Sequence, residues 1–123
     1  MNPQFAYTIL FVSDMQKSVR FYRDLIGLKI KMESPEWTEF ETTGCTLALH
    51  KAAAVEPLPA PLKELMPAGH AHTGFTVGDI DTFADKMAEA GVELMRPIKQ
   101  EDFGRRMGVW RDPDGIPVSV IAA

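Results

Sequence analysis

Phe11-Val12-Ser13-Asp14-Met15 returns 65 positions later as Thr76-Val77-Gly78-Asp79-Ile80. Each copy ends a strand-like run and opens a stretch with apolar residues at helical spacing. Each stretch then closes at a glycine, within Leu25-Ile26-Gly27-Leu28 in the first copy and Ala90-Gly91-Val92 in the second. A repeat at half the chain length means two copies of one supersecondary unit, neither able to bury its apolar face alone. It predicts a pseudo-twofold arrangement around a cavity, with side chains at equivalent positions converging there.

Working outward, residues 5–12 form an apolar run of strand length, rich in aromatic and β-branched residues. Ser13 or Asp14 caps the following helix, and Gln16, three residues after Ser13, completes a capping box. Met15, Val19, Tyr22 and Ile26 recur at helical spacing, and Gly27 is a natural stop. Strands are predicted at 28–32, 37–42 and 46–51, with breaks at Ser34-Pro35 and Thr43-Gly44. The first module, 1–51, therefore reads β-α-β-β-β. Residues 52–69 set Pro57, Pro59, Pro61 and Pro67 among alanines, a semi-rigid linker with a possible helical turn at 62–65.

The second module, 70–123, repeats the plan. A strand at 70–77 leads to a helix capped by Asp79, with Ile80, Phe83, Met87 and Ala90 on one face and Gly91 as its stop. A strand starts at 92–95 and another lies near 105–110. Asp112-Pro113-Asp114-Gly115 is a tight turn whose acids are structural, and the last strand is 116–121. Residues 96–103 are polar and read as strand, loop or a lid over a ligand.

Composition narrows the function. The 123 residues suffice for one compact domain with a core of its own. Hydrophobic content of 46% with a net charge of −4, and no basic cluster beyond Arg105-Arg106, argue against nucleic acid as partner. No apolar run approaches the roughly 18 residues of a membrane span. Met1-Asn2-Pro3-Gln4-Phe5 lacks the basic and apolar regions of a signal peptide, and Cys45 is alone, so a cytoplasmic protein is expected. Cys45 itself reads as a packed thiol.

Period-2 alternation separates residues under the helices from those on the open faces. Leu47, Leu49, Phe75, Val77, Val118 and Val120 go under. Thr46, Ala48 and His50 are left open, as are His70, His72 and Gly74, and Pro117, Ser119 and Ile121. Tyr7 is the repeat partner of His72 and joins the open set with Phe5 and Ile9. The converging residues are Tyr7, Ala48, His50, His72 and Ser119.

With the half-patterns placed, the chain resembles the vicinal oxygen chelate superfamily of glyoxalase I, bleomycin-resistance proteins and extradiol dioxygenases. The resemblance lies in Tyr7-Thr8-Ile9-Leu10-Phe11-Val12-Ser13-Asp14-Met15, Ser18-Val19-Arg20-Phe21-Tyr22 and Leu25-Ile26-Gly27-Leu28. It continues in Phe103-Gly104-Arg105-Arg106 and Arg111-Asp112-Pro113-Asp114-Gly115. It implies an α+β fold of two βαβββ modules forming an incomplete barrel around a cavity, usually as a homodimer. Metal-dependent members carry four ligand positions filled by His or Glu, and these fall on Tyr7, Ala48, His72 and Ser119. Only His72 is a usual ligand, and a divalent site needs at least three good donors.

The first expectation is therefore a metal-independent small-molecule-binding protein, similar to the antibiotic-resistance members, that sequesters its ligand without a cofactor. Its expected ligand residues are Tyr7, His50, His72, Arg106, Trp110 and Ser119. Trp37 reads as ordinary packing. The alternative is a metal-dependent lyase, isomerase or dioxygenase with a relocated site built from His50, His72 and Glu39 or Glu41. A third reading is a metal-free enzyme with His72 as general base and Tyr7 as acid or oxyanion donor.

Overall fold

The computed structural model describes residues 5–53, 71–102 and 104–123. The chain divides into two compact units, 1–56 and 57–123. That division falls inside the expected linker, of which 54–69 lie outside the described residues, as does His70. Each unit is a βαβββ module, so the protein is α+β with the duplicated plan that the repeat predicts.

Module one runs β1 (Tyr7–Val12), α1 (Met15–Arg20), a π-helical turn (Phe21–Leu25), β2 (Lys29–Glu33), β3 (Trp37–Glu41) and β4 (Thr46–Lys51). Module two runs β5 (Thr73–Val77), α2 (Ile80–Glu89), β6 (Leu94–Gln100), β7 (Arg106–Arg111) and β8 (Pro117–Ala122). The sheets have strand orders β1-β4-β3-β2 and β5-β8-β7-β6. In each, the first and last strands of the module pair in parallel and the other pairs are antiparallel. Among the described residues no helix is long and apolar enough to cross a membrane.

The repeated aspartates start the helices. Asp14 has extended backbone, and its carboxylate accepts from the Lys17 N–H at 3.1 Å. Asp79 does the same for the N–H groups of Asp81 and Thr82, both at 3.1 Å. Such a cap stabilises a helix by about 0.5–2 kcal/mol. With Asp14 as cap, the residue three positions on is Lys17. The repeated glycines end the helices with φ of +93° at Gly27 and +71° at Gly91, a left-handed backbone that costs other residues strain.

The helical stretches of the two modules differ in length by one residue. Gly27 lies 13 positions after Asp14 and Gly91 lies 12 after Asp79. The extra residue is absorbed by the π turn, in which the Ile26 N–H bonds the Phe21 carbonyl five residues back at 3.0 Å. The turn keeps Tyr22, fully buried, against Phe40 with ring centroids 6.2 Å apart.

One face of each sheet lies under its helix. In module one this core holds Leu10, Val12, Thr38, Phe40, Leu47 and Leu49 against Met15, Val19 and Tyr22, all buried. In module two it holds Val118, Val120 and Trp110 beneath Ile80, Phe83 and Met87. Gly108 makes room for Trp110: a Cβ there would stand 2.9 Å from the indole and 3.0 Å from Ile98.

Residues 96–100, expected as strand, loop or lid, belong to β6, which pairs with β7 through two register shifts. Pro97 cannot donate to the ladder and sits on this edge strand, where proline is tolerated. In the remainder of the supposed lid, the Glu101 N–H bonds the Arg105 carbonyl at 2.9 Å, and Phe103 lies outside the described residues.

Gly108→Ala is expected to destabilise the protein by about 1–3 kcal/mol, because the methyl overpacks a rigid indole. Gly74→Ala, whose methyl would meet only Ser119 at 3.8 Å, should stay within about 0.5 kcal/mol of the parent. Urea unfolding of both variants reads the contrast, and equal midpoints would contradict this packing.

Candidate functional site

The face of module one away from α1 is set by register. Ile9 pairs with Ala48 and Phe11 with His50. Trp37 also stands opposite His50, and Glu39 opposite Ala48. Tyr7, Ile9, Phe11, Trp37, Glu39, Ala48 and His50 therefore share one surface. Ala48 at its centre is fully buried, whereas Tyr7 is 53% and Phe11 62% exposed.

Four rings form a row on this surface. Trp37 meets Tyr7 edge-to-face at 6.1 Å and 86°, and His50 at 5.8 Å and 89°. His50 in turn meets Phe11 at 5.5 Å. The Trp37 indole N–H donates to the Glu39 carboxylate at 2.8 Å. His50 Nδ1 lies 2.7 Å from the Lys51 carbonyl. A carbonyl only accepts, so Nδ1 carries a proton and donates it.

Module two carries a smaller polar centre. His72 lies just before β5, and its Nε2 shares a 2.8 Å hydrogen bond with the Ser119 hydroxyl on β8. Gly74 is the register partner of Ser119, so the ring reaches diagonally past a position without a side chain. Partial burial pushes the His72 pKa below the ordinary histidine value and favours the neutral ring. Among the described residues no third group orients this ring from Nδ1, the part a carboxylate plays behind a catalytic histidine.

Two expected ligand residues stand elsewhere. Trp110 is 2% exposed, pairs with Val118 and meets Phe83 at 5.2 Å, so it is a core residue under α2. Arg106 lies on the same side as Trp110 and forms a bidentate pair with Asp81 of α2, both contacts at 2.9 Å. Asp81 holds the guanidinium against α2 and away from the open face. Trp37, read from the sequence as packing, packs on Tyr7 and His50 and stands on the open side. Parity puts it there: it alternates with buried Thr38 and Phe40 and shares a side with Glu39.

The donor set does not fit a divalent metal. Of the four family positions, Ala48 offers a methyl, Tyr7 a phenol with its ring against Trp37, and His72 and Ser119 bind each other. Among the described residues no three His, Cys, Asp or Glu side chains come together to hold an ion. A groove of about 600 Å³ lies at the far end of β1, bounded by Ser13–Gln16, Glu33–Pro35 and Lys51. None of the expected ligand residues lines it.

Comparison with known proteins places these modules. The profile of the Glyoxalase/Bleomycin resistance protein/Dioxygenase superfamily matches residues 4–120. The metallothiol transferase FosB of Lysinibacillus sphaericus is 25% identical over 94% of this chain and 79% of its own. The uncharacterized protein YwkD of Bacillus subtilis is 30% identical over 90% of each chain. Among solved structures, a protein of unknown function from Agrobacterium tumefaciens superposes with a TM-score of 0.78 at 28% identity, covering 100% of this chain and 96% of that one.

Since the folded-state pKa of His72 is lowered, the unfolded chain takes up the proton first as pH falls. Stability from this group is complete above the ordinary histidine range and declines as pH drops through the lowered folded value. His72→Gln should therefore flatten the fall in Tm between about pH 7 and pH 5. NMR titration of the His72 ring should give a midpoint below that of an unperturbed histidine, and a higher midpoint would contradict the burial described.

Proposed function

This chain belongs to the glyoxalase/bleomycin resistance protein/dioxygenase superfamily, and we propose that it is a metal-independent member that binds a small molecule and holds it unchanged. The observation that carries this reading is the donor set. Ala48 is fully buried and has no donor atom, and the one histidine at a family ligand position is spent on Ser119. Three donors in fixed geometry are the minimum for catalytic zinc or its relatives, and among the described residues of either module no such group comes together.

What the chain supplies instead suits binding. The open face of module one offers rings from Tyr7, Trp37, His50 and Phe11, with an acceptor at Glu39. Module two offers the His72–Ser119 pair, able to donate or accept. Ligand sites have this mixture: mostly apolar or aromatic walls with a few polar groups that set orientation. The proposed contact residues are Tyr7, Trp37 and His50 on module one and, by themselves, His72 and Ser119 on module two, in a cytoplasmic homodimer whose mass light scattering would read.

A second reading, a metal-dependent transferase, is favoured by the 25% identity to FosB. Metal titration separates the two. Zn²⁺, Mn²⁺, Ni²⁺ and anaerobic Fe²⁺ should each leave Tm unchanged and bind at less than one equivalent. His72→Ala should behave like the parent in the same titration. Stoichiometric metal that disappears in His72→Ala would overturn the proposal and establish the transferase reading as the one to pursue.

A further inference from the structure

We propose that the open face of module one takes a planar organic cation, laid against Trp37 beside Tyr7 and His50 with Glu39 as its counter-charge. This rests on the ligand-binding reading above and names the class of ligand.

The polarity of the face decides the class. Its two ring N–H donors are already used, the indole by Glu39 at 2.8 Å and the imidazole by the Lys51 carbonyl at 2.7 Å. What this face adds is π density and the Glu39 carboxylate, with the Tyr7 hydroxyl and the Lys31 ammonium, 3.9 Å from Glu39, among its donors. An anionic ligand would be repelled by the ring faces and by Glu39, and the Lys31 ammonium is already shared with that carboxylate. A cation is attracted by the ring faces, by indole most of all, and by the carboxylate at the indole edge.

Geometry favours a flat ligand. Tyr7 and His50 stand at 86° and 89° to the indole and hold it in one orientation, so the rings belong to one sheet surface. Glu39 has one loose partner, the Lys31 ammonium at 3.9 Å. A pair at that distance on a strand surface contributes little, so a ligand cation can displace it. The net charge of −4 adds long-range attraction of the same sign.

The test is titration of metal-free protein with ethidium, a planar aromatic cation, read by ethidium and indole fluorescence. Tetramethylammonium and the aromatic anion 1-anilinonaphthalene-8-sulfonate serve as comparators. Ethidium should saturate at one per chain and bind more tightly than either comparator. Trp37→Leu should weaken it about tenfold, the scale of one desolvated cation–π contact. Trp37→Phe, which keeps a ring in place and guards against a folding defect, should fall between. Glu39→Gln should cost ethidium about threefold and leave the anion unaffected.

Ethidium affinity indifferent to both Trp37→Leu and Glu39→Gln would overturn the proposal. If the anion binds one-to-one and ethidium does not, the class is wrong while the binding reading stands. If no probe of any charge binds, both fall together.

Discussion

Parallel pairing of first and last strands, β1 with β4 and β5 with β8, is the constraint on which each module depends. Parallel neighbours cannot be joined by a tight turn, so the chain must cross one face of the sheet before returning. The helix is that crossing, and it packs on β4 in module one and on β8 in module two. Once one face is covered, alternation sorts every strand residue. Leu47 and Leu49 go under α1 and His50 faces out; Val118 and Val120 go under α2, and Ser119 lies on the other side.

Most of this is legible in the amino-acid sequence. The aspartates that open the helices and the glycines that close them are spelled out in the repeat, and so are the buried valines of β8. Even the π turn is written in the count, since 13 positions from Asp14 to Gly27 against 12 from Asp79 to Gly91 leave one to be absorbed. What is not legible depends on register between strands. Trp110 reads as available to a ligand, yet its pairing with Val118 puts it under α2 beside Phe83. The turn at Asp112-Pro113-Asp114-Gly115 sets that pairing, because the Asp112 carboxylate accepts from the N–H groups of Asp114 and Ile116, both at 2.9 Å. Arg106 escapes for a different reason. Its partner Asp81 sits 25 residues away on another element, a distance that alternation within one strand does not reach.

The open faces bear on function through the side chains that register brings to them. Ala48 is a small buried side chain beside a row of rings. The Ser119 hydroxyl shares a hydrogen bond with His72 at 2.8 Å. The ligand-binding proposal takes these groups for recognition by shape, ring faces and hydrogen bonds. Trp37 and Glu39 then become the informative pair, since the carboxylate is hydrogen-bonded to the indole and lends its charge to the aromatic surface.

Recovery of bound ligand tests the central claim most directly. Metal-free protein and protein incubated with Zn²⁺ or Mn²⁺ would be saturated with ethidium, held for hours, then denatured, and the small molecule weighed by mass spectrometry. The account predicts one unchanged ligand per chain, with the same affinity in both preparations. Binding that requires the metal, or a ligand returned with altered mass only when metal is present, would contradict it.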